Sequence, residues 1–285
     1  MRLSVIFGLV LIVSCNNPNQ STLDKVRSLD LNSMNGNIET YFSAGYKDQA
    51  VANLNLLHDS IEFFEQNAGV DQTFSIAVID SISWVKITSI PYGLPFVSGP
   101  PYIVCIPANS ENILSNIIEN VIDGYEFNAT YGMTNKEIVD LFVSLIGFHE
   151  LGHIYASSYG ASFPNKWTFE FAATYFAYFY LDQNNPKARD IWIDVSKIII
   201  KEVNPRYTSL EVFERKYTEV GVKNYAWYQV AFLLQVDELY KQQGKSFLKN
   251  LQNYNWSSTS KTEYLDEMDE IGSGFSQWAQ KYKLQ

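Results

Sequence analysis

The chain has 285 residues, 46% hydrophobic and 18% charged, which supplies a sizeable core and excludes a disordered or fibrous chain. Its formal net charge of −10 removes any general attraction to nucleic-acid phosphates or anionic lipid, so nucleic acid is set aside as a partner. The charge does not identify a substrate.

The opening segment reads MRLSVIFGLVLIVSC. Arg2 gives a short positive region and Leu3 to Val13 an apolar run, well short of the ~20 residues that span a bilayer. It reads as a secretory signal. Its end, IVSC, resembles the lipobox of bacterial lipoproteins. That resemblance implies a signal peptide over 1–14 and lipidation of Cys15. It also implies a protein of the cell envelope, facing out of the cytoplasm and held to a bacterial membrane only through its lipid anchor. The alternative is an ordinary cleaved signal with Cys15 a bystander. Cys105 then has no partner, and its apolar run YIVCIP favours a buried, inert thiol.

Residues 15–22 are polar and read as a tether, followed by a single domain over 23–285. Within it, 23–160 reads as an α/β lobe and 161–285 as a helical lobe. The stretch 23–40 is ambiguous, and a short helix with a turn around Gly36 fits it. Helical spacing over 46–67 places Val51, Leu54, His58 and Ile61 near one stripe, with Gly69 as the stop. His58 is read as a hydrogen-bonded structural histidine. The β-branched runs 73–79 and 83–90 predict strands, 91–101 a proline-rich loop and 102–107 a third strand. Ser110 is the predicted cap of a helix carrying Ile113, Leu114, Ile117, Ile118 and Val121. An irregular stretch covers 123–133. Thr134 with Glu137 then makes a capping box. The helix that it opens carries Ile138, Leu141, Phe142, Leu145 and Ile146, and then His149 and His153. Helices are predicted over 167–182, 187–202, 209–219, 222–242, 245–252 and 261–282, with breaks that include Gly221, Gly244 and Gly272. The fold class expected is α+β, a small mixed sheet and an active-site helix followed by a mainly helical part.

The segment GFHELGHIY (147–155) carries the chemistry. His149 and His153 are four residues apart, so a helix puts both imidazoles on one face, one turn apart. Two imidazole nitrogens can then meet at one ion. Zinc suits them, and a catalytic site needs a third protein ligand and one open position. Glu150, offset by one residue, lies where a base for the attacking water belongs. Gly152 leaves room for close packing or for substrate. The remaining histidine is His58, and position 159 is Tyr, so a carboxylate must complete the site. Glu170, in NKWTFEFAATYF, is the candidate, on a following helix that runs back along the first.

HELGH followed by WTFEFAATYF resembles the gluzincins, the zinc metallopeptidases related to thermolysin and to a family of zinc aminopeptidases. Trp167, Glu170, Ala173, Thr174, Tyr175 and Phe176 match the third-ligand helix of the latter. The resemblance covers 147–178 and implies a zincin-like fold, His149, His153 and Glu170 as zinc ligands, and Glu150 as general base. It also implies that Thr174 stands where an Asp often bonds the first histidine. The Gly-x-Met-Glu-Asn type strand of the aminopeptidases is absent, so exopeptidase activity is not implied. In this family a Tyr or His of the carboxyl-terminal lobe stabilises the oxyanion, which makes Tyr225 and Tyr228 candidates here, ahead of Tyr155 and Tyr159. The loop and strand 92–106 are a candidate sheet edge to which a peptide adds as a strand.

The expectation is therefore hydrolysis of a peptide or protein substrate by a secreted, lipid-anchored zinc metallopeptidase. Two rivals stand beside it. One is a surface lipoprotein that binds zinc without catalysis. The other is a binding lipoprotein with a chance motif.

Overall fold

The structure, a computed structural model, describes residues 20–217, 219–256 and 264–284. The signal segment, Cys15 and most of the tether lie outside the described residues. The last tether residues belong to the fold, because Ser21 and Asp24 form a capping box for α1 (Thr22–Arg27). Strands β1 (Asn32–Met34) and β2 (Thr40–Phe42) follow, then α2 (Lys47–Leu57), α3 (Ser60–Ala68), β3 (Phe74–Ile79) and α4 (Ser81–Ile87). Next come β4 (Phe96–Ser98), β5 (Tyr102–Pro107), α5 (Ile113–Ile122) and α6 (Asn128–Tyr131). The remainder is helical: α7 (Asn135–Ser158), α8 (Lys166–Asn184), α9 (Pro186–Glu202), α10 (Leu210–Lys216), α11 (Val222–Gln243), α12 (Ser246–Asn253), α13 (Tyr264–Ile271) and α14 (Phe275–Lys281).

The molecule is mixed α+β. Its five strands form one sheet in the order β1-β2-β3-β5-β4. The inner strands β2, β3 and β5 are parallel, and the outer pairs β1–β2 and β5–β4 are antiparallel. β3 is buried throughout and β5 almost so, as expected of strands covered on both faces. One face packs under α1 and α4 through Val26, Trp84 and Ile87, with Cys105 buried in the same cluster. The other face joins a continuous core that runs through α7 and α8 into the helices beyond, so the two halves share one interior.

Several local predictions are corrected. The single helix over 46–67 is two helices. Ser60 Oγ donates to the Leu57 carbonyl at 2.6 Å, and that local bond competes with helix continuation. His58 therefore sits on an exposed corner and pairs with Asp59 at 2.5 Å rather than with the core. The segment 83–90 is not a strand. Asp80 accepts from the Ser83 amide as N-cap of α4, and Trp84 and Ile87 turn inward at helical spacing. The β-branched Val85, which argues for a strand in sequence, lies with Ile82 on the outward face of that helix. The loop 91–101 contains β4, the strand at one edge of the sheet. Asn112, not Ser110, caps α5, and the stretch 123–133 includes α6. The break expected near Gly272 is present, between α13 and α14.

The capping box of Thr134 and Glu137 opens α7. By length and composition α7 could cross a membrane, but 67% of its apolar window is buried inside the protein, so it is the core helix. Its contact with α8 is unusually close. The pairs His149–Thr174, Gly152–Ala173 and His153–Glu170 show the helices running antiparallel. A Cβ added at Gly152 would lie 2.1 Å from the Ala173 carbonyl oxygen. Ala in place of Gly gains about 1 kcal/mol of helix propensity. Here it also drives a methyl into backbone that cannot rotate away. Gly152→Ala should destabilise the protein by about 3 kcal/mol, the upper end of ordinary overpacking, seen as a lower urea midpoint with an unchanged slope.

Candidate metal centre

The site forms where α7 and α8 touch. His149, His153 and Glu170 present one donor atom each, all within 4.8 Å of one another. His149 Nε2 lies 3.0 Å and His153 Nε2 3.4 Å from Glu170 Oε2. Donors bound at zinc-like lengths around a tetrahedral centre stand about 3.3 Å apart, and the two histidine–carboxylate separations match that spacing. His149 and Glu170 are buried, 4% and 1% exposed, and such a set is stable only when its charges are shared with an ion, a proton or each other.

The surroundings fix how each donor points. Thr174 Oγ1 donates to the Glu170 backbone carbonyl at 3.0 Å, so its lone pair is free to accept from His149 Nδ1 at 3.0 Å. That leaves the Nε2 lone pair of His149 facing Glu170 and the centre of the site. His153 Nδ1 has no partner among the described residues, and its ring is positioned instead by Phe169, centroid to centroid 4.7 Å. Glu170 is held at both oxygens. Tyr217 donates to Oε1, and Gln229 Nε2 donates to Oε2 at 2.7 Å.

Neither Tyr217 nor Gln229 was legible as a site residue in sequence. Tyr217 stands at the end of α10, three residues after Glu214, whose carboxylate accepts from the Trp167 amide at 2.7 Å at the start of α8. One face of α10 thus fixes both where α8 begins and where Glu170 points. Gln229 falls on a stripe of α11, with Val222, Tyr225, Ala226 and Val230, that lines the cleft. Extending that period from Tyr225 would have found Gln229. Tyr228, expected as an alternative to Tyr225, does not line the cleft, which is a correction. Tyr228 is fully buried among Phe213, Trp227 and Phe232, and its hydroxyl donates to the Ser209 carbonyl at 2.8 Å. Tyr225 does line the cleft, its ring edge-on to Tyr217 at 6.1 Å. Tyr155 and Tyr159 are buried against Phe64 and Phe176 and do not line it.

The cleft has a volume of about 410 Å³ and lies between β4, α5 and α7 on one side and α9 and α11 on the other. Its lining is chiefly apolar, and Glu150 belongs to it together with the three donors. Burial pushes the Glu150 carboxyl above the ordinary range, while the two histidines and the Val97 backbone amide pull the other way. Burial would push Glu170 up too, but the charge of His153 and the hydrogen bonds of both histidines hold it well below the carboxylate range. For His153, burial opposes the charged form, and Glu170 outweighs it, so the imidazolium persists to higher pH. Burial and then the charge of Glu170 keep Tyr217 and Tyr225 protonated, and hence donors.

This geometry predicts three behaviours. Removing a group that aims a ligand should weaken metal binding about 10–100-fold, so Thr174→Val and Tyr217→Phe should each do so in competition with a chelating dye. The proton on His153 and an ion compete for one nitrogen. Because that pKa is raised, metal uptake near neutrality should release a proton, and affinity should fall as pH drops through the raised value. Without metal the sign divides: the Glu170 contribution to stability is lost as pH falls through its depressed pKa, and the His153 contribution as pH rises through its raised one. Acidification of a weakly buffered sample on adding zinc checks the proton release, and urea midpoints against pH check the stability without metal. No protein-family model matches this chain and no curated protein matches it, so the reading of the site rests on its own residues.

Proposed function

We propose that the protein is a zinc-dependent peptidase of gluzincin type with a zincin-like fold, exported and anchored through a lipid on Cys15. The observation that carries it is the convergence of His149, His153 and Glu170 in the lining of a cleft where Glu150 also lies. Two imidazoles and one carboxylate form a ligand set suited to zinc with a position left open. Bound there, zinc would supply a Lewis acid for the scissile carbonyl and for water.

The protein's own groups do the rest. Glu150 takes the proton of the attacking water and passes it to the leaving amine, and a carboxyl raised by burial is matched to both halves of that task. Tyr225, kept protonated beside Glu170, offers its hydroxyl to the carbonyl oxygen as charge develops. β4 pairs on one side only, with β5, so its other edge is open to an extended peptide. The apolar walls of the cleft accept large aliphatic or aromatic side chains.

Glu150→Gln should abolish cleavage of a denatured protein mixture while stoichiometric zinc stays bound, which separates a peptidase from a zinc protein without catalysis. Failure of the wild-type protein to cleave anything across a broad peptide library would sink the reading. Tyr225→Phe should lower kcat about 10²–10³-fold with metal content unchanged. Tyr228→Phe, whose hydroxyl serves the Ser209 carbonyl, should cost about 1 kcal/mol of stability and leave kcat alone.

A further inference from the structure

Ile82 and Val85, three residues apart on α4, are 71% and 72% exposed, the most exposed large aliphatic side chains among the described residues. They share one helix face and form a small apolar ridge, with the exposed Lys86 beside it. A single exposed aliphatic residue is ordinary, so the question is what stands opposite this pair.

Two contacts answer it. The first is that α4 packs against α1, and α1 is where the tether enters the fold. Seven residues of chain separate Cys15 from Thr22, a reach of at most about 25 Å. An acyl group on Cys15 thus keeps α1, and α4 with it, close to the lipid. The second is that Thr22 Oγ1 donates to Ser98 Oγ at 2.8 Å, and Ser98 lines the cleft. The surface around α1 therefore borders both the helix that carries the ridge and, through Thr22, the rim of the cleft.

We propose that this surface seats on the bilayer, with Ile82 and Val85 in the lipid interface, and that the cleft takes its peptide from the membrane surface. The proposal rests on the reading of Cys15 as acylated and of the site as a peptidase centre. The walls of the cleft agree with it. Leu94, Ile117, Phe142, Trp192 and Val230 favour a peptide with large apolar side chains. Such side chains are hidden in folded soluble proteins and are within reach where a peptide leaves or lies on a bilayer. With a net charge of −10 the seat is apolar rather than electrostatic, so neutral lipid is the appropriate partner.

The test uses the chain from residue 15 onward, which keeps every described residue, with Cys15→Ser so that no acyl chain contributes. Floated with neutral phosphatidylcholine vesicles, it should bind weakly, and Ile82→Ser combined with Val85→Ser should weaken the partition about tenfold. Val51→Ser, at an exposed aliphatic on α2 across the sheet, should leave it unchanged. Zinc content and thermal midpoint on the same samples show that each variant is folded. Absence of flotation, or flotation indifferent to Ile82 and Val85, overturns the proposal. So does protein from cells whose mass shows no acyl group on Cys15. A protein that floats through Ile82 and Val85 yet cleaves nothing supports the membrane seat while removing the peptidase reading.

Discussion

At Gly152 the two central helices meet backbone to backbone, with the Ala173 carbonyl occupying the space that a side chain would need. The donor cluster depends on that contact. Ordinary helix pairs stand 8–10 Å apart, separated by interleaved side chains. With such a spacer at position 152, Glu170 would be carried away from both imidazoles, and Thr174 from His149 Nδ1. Gly147, five residues earlier on α7, plays a lesser part toward β5: there a Cβ would meet the tip of the Ile106 side chain at 3.0 Å, and such a tip can give. α7 is thus seated closely on both sides, against the sheet and against α8.

Placing charge at such a depth creates a second constraint. Glu170 is buried, and a lone carboxylate there would bind a proton before it ionised. It stays ionised because two histidines face it and because Tyr217 and Gln229 donate to it. Those donors come from α10 and α11, elements nearly fifty and sixty residues further along the chain, so the late helices complete a site begun by α7. The same arrangement separates the two carboxylates by role. Glu170 is surrounded by donors and is held as an anion. Glu150, one step from the first histidine, has no comparable set and drifts toward the neutral form.

The helices and the donor triad were legible in sequence because their signals are local. The capping box of Thr134 and Glu137, the four-residue spacing of the histidines and the apolar period of α7 all lie within one element. Glu170 needed a second helix, yet the short loop between α7 and α8 leaves little choice but an antiparallel return. What failed was local evidence with two meanings. Val85, Ile87 and Thr88 read as strand residues because β-branched side chains favour strands, and nothing in the segment says that it coils into a helix with Val85 facing outward. The tyrosines failed differently. Tyr225 and Tyr228 differ by three residues, and only the surroundings of α11 decide which one faces the cleft. Tyr217 acquires its role from contacts across the fold that no spacing encodes.

β4 draws these threads together, although it was read as loop. A three-residue edge strand is a weak template for unwanted sheet pairing, and its shortness protects the protein while leaving backbone groups open on one side. The Val97 amide of that strand acts on Glu150, and Ser98 receives the hydrogen bond from Thr22 at the start of α1. The proposed substrate edge, the contact to Glu150 and the tether contact thus fall on neighbouring residues of a single strand. A peptide aligned on β4 would have its backbone fixed by the edge, its scissile bond over the donor cluster and its apolar side chains in the cleft. The same strand would sit beside the part of the molecule closest to the membrane. Strand geometry sets both relations at once, because successive residues of β4 point to opposite faces and their spacing along the strand is fixed.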